Sequence, residues 1–281
     1  MPSLRFQNRQ VFKNLGTDSK LATRMPGQGL EYFRPPCILL VMWRAFLVVG
    51  TIFLGGLLPG RAEPVEAVHA ELELISERAA VVPGETFHLA IVFDQDPHWH
   101  IYWKNPGASG LPPEIDWQLP GGFTAGALQF PAPERIEIGG LMSYAYEGRV
   151  TFIVPMEAPA DLTPGETVEI GAEVFYLICK DVCLPGEASL RLTLPVAAEG
   201  EPSDRADEFQ AARASQPLPP PVWDFATELN GETLEVRITG ADLPPSLYFY
   251  AEEAGYVDPN APQLYEVEEG VSRLELQVGP A

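Results

Sequence analysis

Apolar and polar residues alternate along most of the chain after residue 62, in short segments separated by turn residues. Alternation with a period of two is typical of β-strands that bury one face. No helical segments lie between these strands, so the pattern predicts an all-β, antiparallel β-sandwich. The apolar positions are Phe87, Leu89, Ile91 and Phe93; Val150, Phe152 and Val154; Val168, Ile170, Ala172, Val174 and Tyr176; and Leu190, Leu192 and Leu194.

The turn residues agree with this pattern. The tripeptide Pro-Gly-Glu occurs at 83–85, 164–166 and 185–187. Proline presets the first central residue of a type II turn, and glycine accepts the positive φ of the second. We therefore predict a turn at each of these three places, including one directly after Cys183.

The chain divides into four parts. Residues 63–200 form the predicted sandwich, and residues 201–221 a linker with one helical stretch, Ser203–Ala214, followed by a proline run suited to an extended connection. Residues 222–281 form a second β-rich unit that is small or incomplete, because about 60 residues fall short of the roughly 100 of a sandwich domain. Its predicted apolar strand positions are Leu234, Val236 and Ile238; the run 247–250; and Leu274, Leu276 and Val278.

Residues 1–62 have the features of a leader. A basic flank at Arg44, an apolar core at 45–58 and a small-residue end before Glu63 predict a signal peptide at 42–62, cleaved near Ala62. The core of about 14 residues is shorter than the roughly 20 that span a bilayer, so a permanent anchor is the weaker interpretation. Residues 1–41 show no periodicity, and we expect translation to start at Met42.

The charge distribution excludes some partners. The chain carries 39 acidic and 18 basic residues, and the first 62 residues hold 8 of the basic but only 2 of the acidic ones. The rest of the chain is therefore strongly acidic and should be repelled by phosphate backbones and anionic lipid. We predict no nucleic-acid partner, and membrane contact only through a partner protein or a missing C-terminal region.

Two cysteines, Cys179 and Cys183, would be the only ones left after removal of a leader that contains Cys37. A redox-active pair is the leading hypothesis. A structural staple is one alternative, although closing so short a loop contributes only about 2 kcal/mol. Two buried thiols are a second, and a soft Cu(I) or Zn site completed by His98, His100 or Met142 is a third.

The neighbouring residues could tune such a pair. Lys180 favours a thiolate at Cys179, whereas Asp181 opposes it. Glu147 and Gly148 suit a turn before the strand at 150–154, and His98 and His100 alternate about Trp99 as in a strand. Aromatic residues that either shield a dithiol or pack in the core are Trp99, Tyr102, Trp103, Tyr144 and Tyr146.

Several segments resemble, in the same order, the N-terminal periplasmic domain of the thiol:disulfide interchange protein DsbD, and within that family the ScsB branch, which is linked to copper tolerance. They are Pro97–Gly107, Ser109–Pro112, Phe130–Arg135, Tyr144–Gly148 and Cys179–Pro185. The resemblance covers roughly residues 66–198 and extends more weakly to 281.

The resemblance implies an immunoglobulin-like sandwich whose cysteine pair accepts electrons from a membrane-embedded donor and passes them to thioredoxin-fold periplasmic proteins. It implies that Cys183 forms the mixed disulfide and Cys179 resolves it, with His100 and Tyr102 beside the pair. Disulfide reduction, cytochrome c maturation and copper tolerance are the roles that it suggests, in the periplasm and with no cofactor.

The family also has a cap loop that covers the cysteines, and the matching segment is 133–144. Its tip has no aromatic residue, so shielding would fall to Ile136, Leu141 or Met142, with Glu134 and Glu137 beside them.

No segment resembles the membrane domain or the thioredoxin-like domain of the family. We therefore expect either that separate proteins reduce this chain or that it is part of a longer gene product. A copper-binding module that uses Cys179, Cys183 and His100, and a structural sandwich for interactions, remain the alternatives.

Overall fold

The computed structural model describes residues 62–217, 222–268 and 270–279. The predicted leader, except Ala62, lies outside the described residues, as does most of the proline run. Within the described part of the chain, no helix is long and apolar enough to cross a membrane.

Two antiparallel sheets form the first part of the structure, as the alternation predicts. Their strands are β1 Val65–Ala67, β2 Ala70–Ser76, β3 Thr86–Gln95, β4 His100–Gly107, β5 Glu114–Gln118, β6 Thr124–Ala125, β7 Glu134–Ile138, β8 Leu141–Glu147, β9 Arg149–Glu157, β10 Thr167–Cys179 and β11 Cys183–Pro195. The first sheet has the strand order β1-β2-β3-β9-β6, and the second has the order β11-β10-β4-β8-β7, with β5 paired to β10 beyond the end of β4.

The main core fills the space between these sheets. The apolar positions predicted from the alternation on β3, β9, β10 and β11 are all buried in it. Phe93 packs edge-on against both Phe152 and Tyr176, with ring centroids 5.7 and 5.3 Å apart, which joins the two sheets through aromatic contacts. The predicted β-sandwich is confirmed, because side chains that alternate along each strand give every sheet one apolar face to bury.

A helix, α1 (Ala206–Ala214), covers the outer face of the first sheet. Its predicted start at Ser203 is too early, because the hydroxyl of Ser203 donates a hydrogen bond to the carbonyl of Ser76 and the chain turns before becoming helical. Phe209 is fully buried against Ile75, Ala90 and other apolar side chains of β2, β3 and β9.

Four further strands follow: β12 Asp224–Asn230, β13 Thr233–Thr239, β14 Leu264–Glu268 and β15 Val271–Gln277. They form a sheet of order β12-β13-β15-β14 with its own small core. The strand predicted at 247–250 is wrong. This run is apolar without alternation, and its side chains Tyr248 and Tyr250 pack against the sandwich core.

Residues from this second part contact the sandwich directly. The side-chain amide of Asn105 donates a hydrogen bond to the carbonyl of Ala251 at 2.9 Å, and Lys104 forms an ion pair with Glu252 at 2.9 Å. The domain boundary predicted at 201–221 stays a prediction. Residues before and after it contact each other, as these two interactions show.

One of the three predicted turns is also wrong. Gly84 and Gly165 have positive φ, as expected, but Pro185–Glu187 continues strand β11. Gly186 is needed there for close packing, since a Cβ atom at this position would lie 2.3 Å from Cζ of Tyr176. Proline is tolerated at 185 because β11 is at the edge of its sheet.

Candidate functional site

The two cysteines close the hairpin formed by β10 and β11. Cys179 is the last residue of β10, Cys183 is the first of β11, and they are register partners with Cα atoms 4.1 Å apart. Their sulfurs are bonded in a disulfide. A tight loop joins them, in which the amide of Lys180 donates a hydrogen bond to the carbonyl of Val182 at 3.1 Å. The spacing of four residues thus places the sulfurs together at the tip of a rigid hairpin.

The two cysteines differ in accessibility. Cys179 is fully buried, whereas Cys183 is exposed. Disulfide exchange requires a thiolate to approach one sulfur in line with the bond that breaks. Only Cys183 offers such an approach from solvent.

Cys179 belongs to a small apolar cluster on the outer face of the second sheet, separate from the main core. Tyr102 and Ala145 are buried in this cluster with it, and Ile136, Ile138 and Leu177 pack against it partly exposed. Ile136 and Ile138 come from the β7–β8 hairpin, which corresponds to the predicted cap segment. We call β7–β8 the cap hairpin.

The cap hairpin has a sequence that explains its shape. Its strands are joined by Gly139 and Gly140, both with positive φ, which suits a two-residue hairpin turn. Ile138 was missed as a covering residue, although its spacing of two from Ile136 put both on one face of a strand. Of the other predicted shielding residues, Leu141 is 42% exposed and Met142 packs against the main core.

The hydroxyl of Tyr102 contacts the sulfur of Cys183. The two atoms are 3.7 Å apart, and the ring of Tyr102 is fully buried. Burial raises the pKa of this hydroxyl, and a hydrogen bond with the Ser109 side chain partly offsets that effect. Gly110 makes this position possible, because a Cβ atom there would lie 2.2 Å from Cε1 of Tyr102. Tyr102 therefore keeps its proton at neutral pH and acts as a hydrogen-bond donor.

His100 lies on β4 directly opposite Cys179 and also opposite Glu147 on β8. It is 8% exposed, and its Nδ1 atom has no hydrogen-bond partner among the described residues. Burial lowers the pKa of its imidazole, and the Glu147 carboxylate opposes that shift. A neutral ring is the stable form in this position.

The alternation of His98 with His100 predicted that both lie in a strand, but β4 begins at His100 and His98 lies outside it. His98 has a φ of 69° and lies inside a turn that is closed by a hydrogen bond from the amide of Trp99 to the carbonyl of Asp96. Its side chain is 75% exposed, and Nδ1 lies 3.3 Å from Oε1 of Glu147. Glu147 thus connects His98 to β8, one of the two strands of the cap hairpin.

Three of the aromatic residues predicted around the cysteines lie in the main core instead of the Cys179 cluster. They are Trp103, Tyr144 and Tyr146. Tyr146 donates a hydrogen bond to the carbonyl of Pro131 at 2.7 Å, and Tyr144 shares one with Tyr248 at 3.2 Å. Burial raises the pKa of both hydroxyls. Strand alternation explains their position, because neighbouring residues on β4 and β8 point to opposite faces.

The charged residues predicted near the pair are at the surface. Lys180 and Asp181 lie in the exposed loop between the cysteines, and Glu134 and Glu137 are exposed on the cap hairpin. In the described residues, no group of three or more His, Cys, Asp or Glu side chains is arranged to hold a metal ion. The predicted Cu(I) ligands Cys179 and Cys183 are bonded to each other, so that site requires the reduced pair.

The resemblance inferred from the sequence is confirmed for residues 71–195, which match the family described as thiol:disulfide interchange protein DsbD, N-terminal. No curated protein is significantly similar to the chain in sequence. The family match and the disulfide together support a thiol–disulfide exchange module.

Two solved structures are similar to this one. The N-terminal periplasmic domain of ScsB from Proteus mirabilis is 15% identical, with a TM-score of 0.52, over 75% of this chain and 80% of that one. This likeness shows a shared fold. The sporulation control protein Spo0M from Bacillus subtilis is 11% identical over 61% of this chain and 79% of that one, and its TM-score of 0.25 is too low to support an inference.

Proposed function

We propose that this chain is a periplasmic thiol–disulfide exchange module that relays electrons through Cys179 and Cys183. The observation that carries the proposal is a disulfide between one exposed and one buried cysteine, inside a segment that matches the DsbD N-terminal family. An asymmetric pair of this kind suits stepwise exchange, because one sulfur meets the partner and the other releases it.

The exchange proceeds in two displacements. In the reduced module, the Cys183 thiolate attacks one sulfur of a partner disulfide, and the other partner sulfur leaves as a thiolate. Cys179, as a thiolate, then attacks Sγ of Cys183, the mixed disulfide breaks, and the second partner sulfur leaves. Two electrons pass from the cysteines to the partner, whose two thiolates take up the two protons that the cysteines lose.

The proposed partners follow from the family. A membrane-embedded donor reduces the disulfide again, and thioredoxin-fold periplasmic proteins accept the electrons. Tyr102 assists by donating its hydroxyl hydrogen to the Cys183 thiolate, which stabilises the reactive form. Ile136 and Ile138 pack against the cluster that contains the buried Cys179, and this burial limits attack to Cys183 and protects Cys179 from solvent oxidants.

The first test is a redox titration of the chain carrying Cys37→Ser, so that only the pair titrates. Free thiols are counted by alkylation and mass spectrometry after equilibration in thiol/disulfide buffers. A two-electron transition between about −180 and −270 mV is expected for an exchange protein. A bond that stays closed below about −300 mV contradicts the proposal and indicates a structural staple.

The second test distinguishes the two sulfurs. With Cys179→Ser in the Cys37→Ser background, the mixed disulfide on Cys183 cannot be resolved and should accumulate with an oxidised thioredoxin-fold protein. The matched control, Cys183→Ser, leaves only the buried Cys179 and should form little adduct. Equal adduct formation by both variants would reverse the assignment of roles.

A further inference from the structure

We propose that the outer face of the β10–β11 hairpin is the docking surface for the redox partner, and that this partner carries apolar and basic residues beside its own cysteine. The inference rests on the proposed function and adds the chemistry of the partner. It is carried by a groove next to the disulfide.

The groove has a volume of about 790 Å³ and crosses the hairpin beside the cysteines. It is lined by Phe175 and Leu177 of β10, by Pro185 and Glu187 of β11, by Leu111 and Glu114, and by residues 66–68. Leu111 follows Gly110, which packs on the ring of Tyr102. The border of the groove is thus built from the same loop that positions Tyr102.

The groove lies next to the disulfide. Leu177 and Pro185 are register partners, and Cys179 and Cys183 are the next pair on the same face. A step of two residues along a strand is about 7 Å. Leu177 also packs against the cluster that contains Cys179, so it belongs to both the groove and the cysteine site. A protein whose cysteine reaches Cys183 therefore lies over the groove.

The surface exposes large apolar side chains. Phe175 is 47% exposed, Leu111 is 63% exposed, and Val182 in the loop between the cysteines is 60% exposed. Exposed apolar residues that cluster around a reactive group are typical of protein interfaces, and a central aromatic residue commonly contributes much of the binding energy. Phe175, an exposed aromatic residue that lines the groove, is the residue expected to contribute in this way.

Acidic residues border the apolar strip on both sides. Phe175 is the register partner of Glu187 on β11 and of Glu114 on β5. Among the described residues that line the groove, there are three glutamates, the third being Glu66, and no lysine or arginine. This arrangement favours a partner with basic residues around an apolar centre, and it speeds association with such a partner through electrostatic attraction.

The test uses two synthetic peptides, each as a disulfide-linked dimer of identical copies. In both peptides the cysteine is flanked by leucine, and one peptide has lysine beside it where the other has glutamate. The reduced Cys37→Ser chain is mixed with each peptide, and its reoxidation is followed by alkylation and mass spectrometry. The lysine peptide is expected to react at least about tenfold faster at low salt, and most of this difference should disappear at about 0.5 M salt because the charges are screened.

Substitutions in the groove test whether the groove causes the faster reaction with the lysine peptide. Phe175→Ala should slow both leucine peptides severalfold and leave the reaction with glutathione disulfide, which lacks a large apolar side chain, unchanged within a factor of two. Glu114→Gln with Glu187→Gln should remove most of the preference for lysine. The control, Glu228→Gln with Glu268→Gln, makes the same change of charge on exposed residues of β12 and β14 and should keep it.

The outcomes separate this inference from the proposed function. If the chain exchanges with every disulfide at the same rate, and Phe175→Ala does not change that rate, the proposed docking surface is wrong. The proposed thiol–disulfide exchange function is not contradicted by that result. A preference lost equally in the control variant also overturns the docking surface, since net charge alone is then the cause. If the reduced chain exchanges with none of the disulfides, glutathione included, the proposed function itself fails.

Discussion

The hydroxyl of Tyr102 lies 3.7 Å from the sulfur of Cys183, although the two residues are 81 positions apart in the chain. The contact exists because β4 and the β10–β11 hairpin are neighbours in one sheet, with His100 opposite Cys179. Since a disulfide sulfur carries no proton, Tyr102 is the donor. The same hydrogen bond becomes stronger when reduction leaves a charged thiolate on Cys183.

Tyr102→Phe should therefore raise the pKa of the Cys183 thiol in the reduced protein. A hydrogen bond to a charged group is worth about 1.5 kcal/mol, which corresponds to about one pKa unit. The pH dependence of iodoacetamide alkylation measures this pKa, in the Cys37→Ser, Cys179→Ser background. Tyr146→Phe is the control, because its hydroxyl binds Pro131 in the main core; an equal shift in both variants would contradict the role of Tyr102.

Gly110→Ala should destabilise the protein by more than Gly165→Ala. Both glycines have strongly positive φ, 106° and 99°, so both substitutions strain the backbone by about 1 kcal/mol or more. Only Gly110 is in contact with Tyr102, where an added Cβ atom would overlap the ring, while nothing lies within 4 Å at Gly165. Overpacking adds about 1–3 kcal/mol. Denaturant unfolding measures both, and equal losses would show that the ring moves without cost.

The stability of the protein should fall as the pH decreases through the usual pKa of histidine, about 6.5. Burial lowers the pKa of His100 in the folded state, so the unfolded chain binds the proton first and acid favours unfolding. The loss begins below about pH 7 and levels off below the folded-state pKa. The groups facing His100 are Glu147 on β8, Cys179 on β10 and His98 before β4.

His100→Gln should flatten this part of the curve of unfolding free energy against pH, because glutamine does not titrate. Urea unfolding at pH 5, 6, 7 and 8 measures it. The companion variant His98→Gln changes an exposed ring and should leave the curve similar to that of the parent. A parent curve that is already flat across this range would contradict the prediction.

Asn260→Ala should loosen the cap hairpin. The amide of Met142 donates a hydrogen bond to Oδ1 of Asn260 at 2.9 Å, and the guanidinium of Arg135 lies 4.2 Å from the ring centroid of Tyr248. Removing the acceptor should speed hydrogen exchange in the peptide that covers residues 134–147, as followed by mass spectrometry. Asn260→Asp keeps an acceptor at Oδ1 and should exchange more slowly than Asn260→Ala. Identical exchange in both variants and the parent would mean that this contact does not hold the hairpin.

The alternation of apolar residues was sufficient to predict the strands around the main core. A strand that buries one face has an apolar residue at every second position, so the sequence shows that burial directly. Prediction from the sequence failed where the same local composition fits two different structures. Pro185–Gly186 has the composition of a turn, but the Tyr176 ring needs the space of a glycine, and no local pattern records that contact. The run 247–250 is apolar because Tyr248 and Tyr250 pack on the sandwich core, whereas Leu247 and Phe249 pack in the core of the second part.

The candidate site shows the same division. The four-residue spacing and the resemblance drew attention to Cys179 and Cys183, and the structure joins them. Trp103, Tyr144 and Tyr146 were grouped with them by residue type, but the structure turns these side chains to the opposite face. Ser109 and Gly110 were missed because they matter through contacts with Tyr102, which no local pattern records. Ile138 and Leu177 were missed although each lies two residues from a predicted site residue on its own strand.

The sequence by itself determined the class of fold, the strands of the main core and the pair of cysteines, because periodicity and short spacing are local properties of a chain. The resemblance further implied that Cys183 meets the partner and that Tyr102 lies beside the pair. Only the tertiary structure decided how the Tyr102 hydroxyl reaches the sulfur of Cys183 and which apolar side chains border the pair. Those relationships depend on strand register and on which elements meet across the sheet, and residues 81 positions apart become neighbours only when the whole sheet has formed.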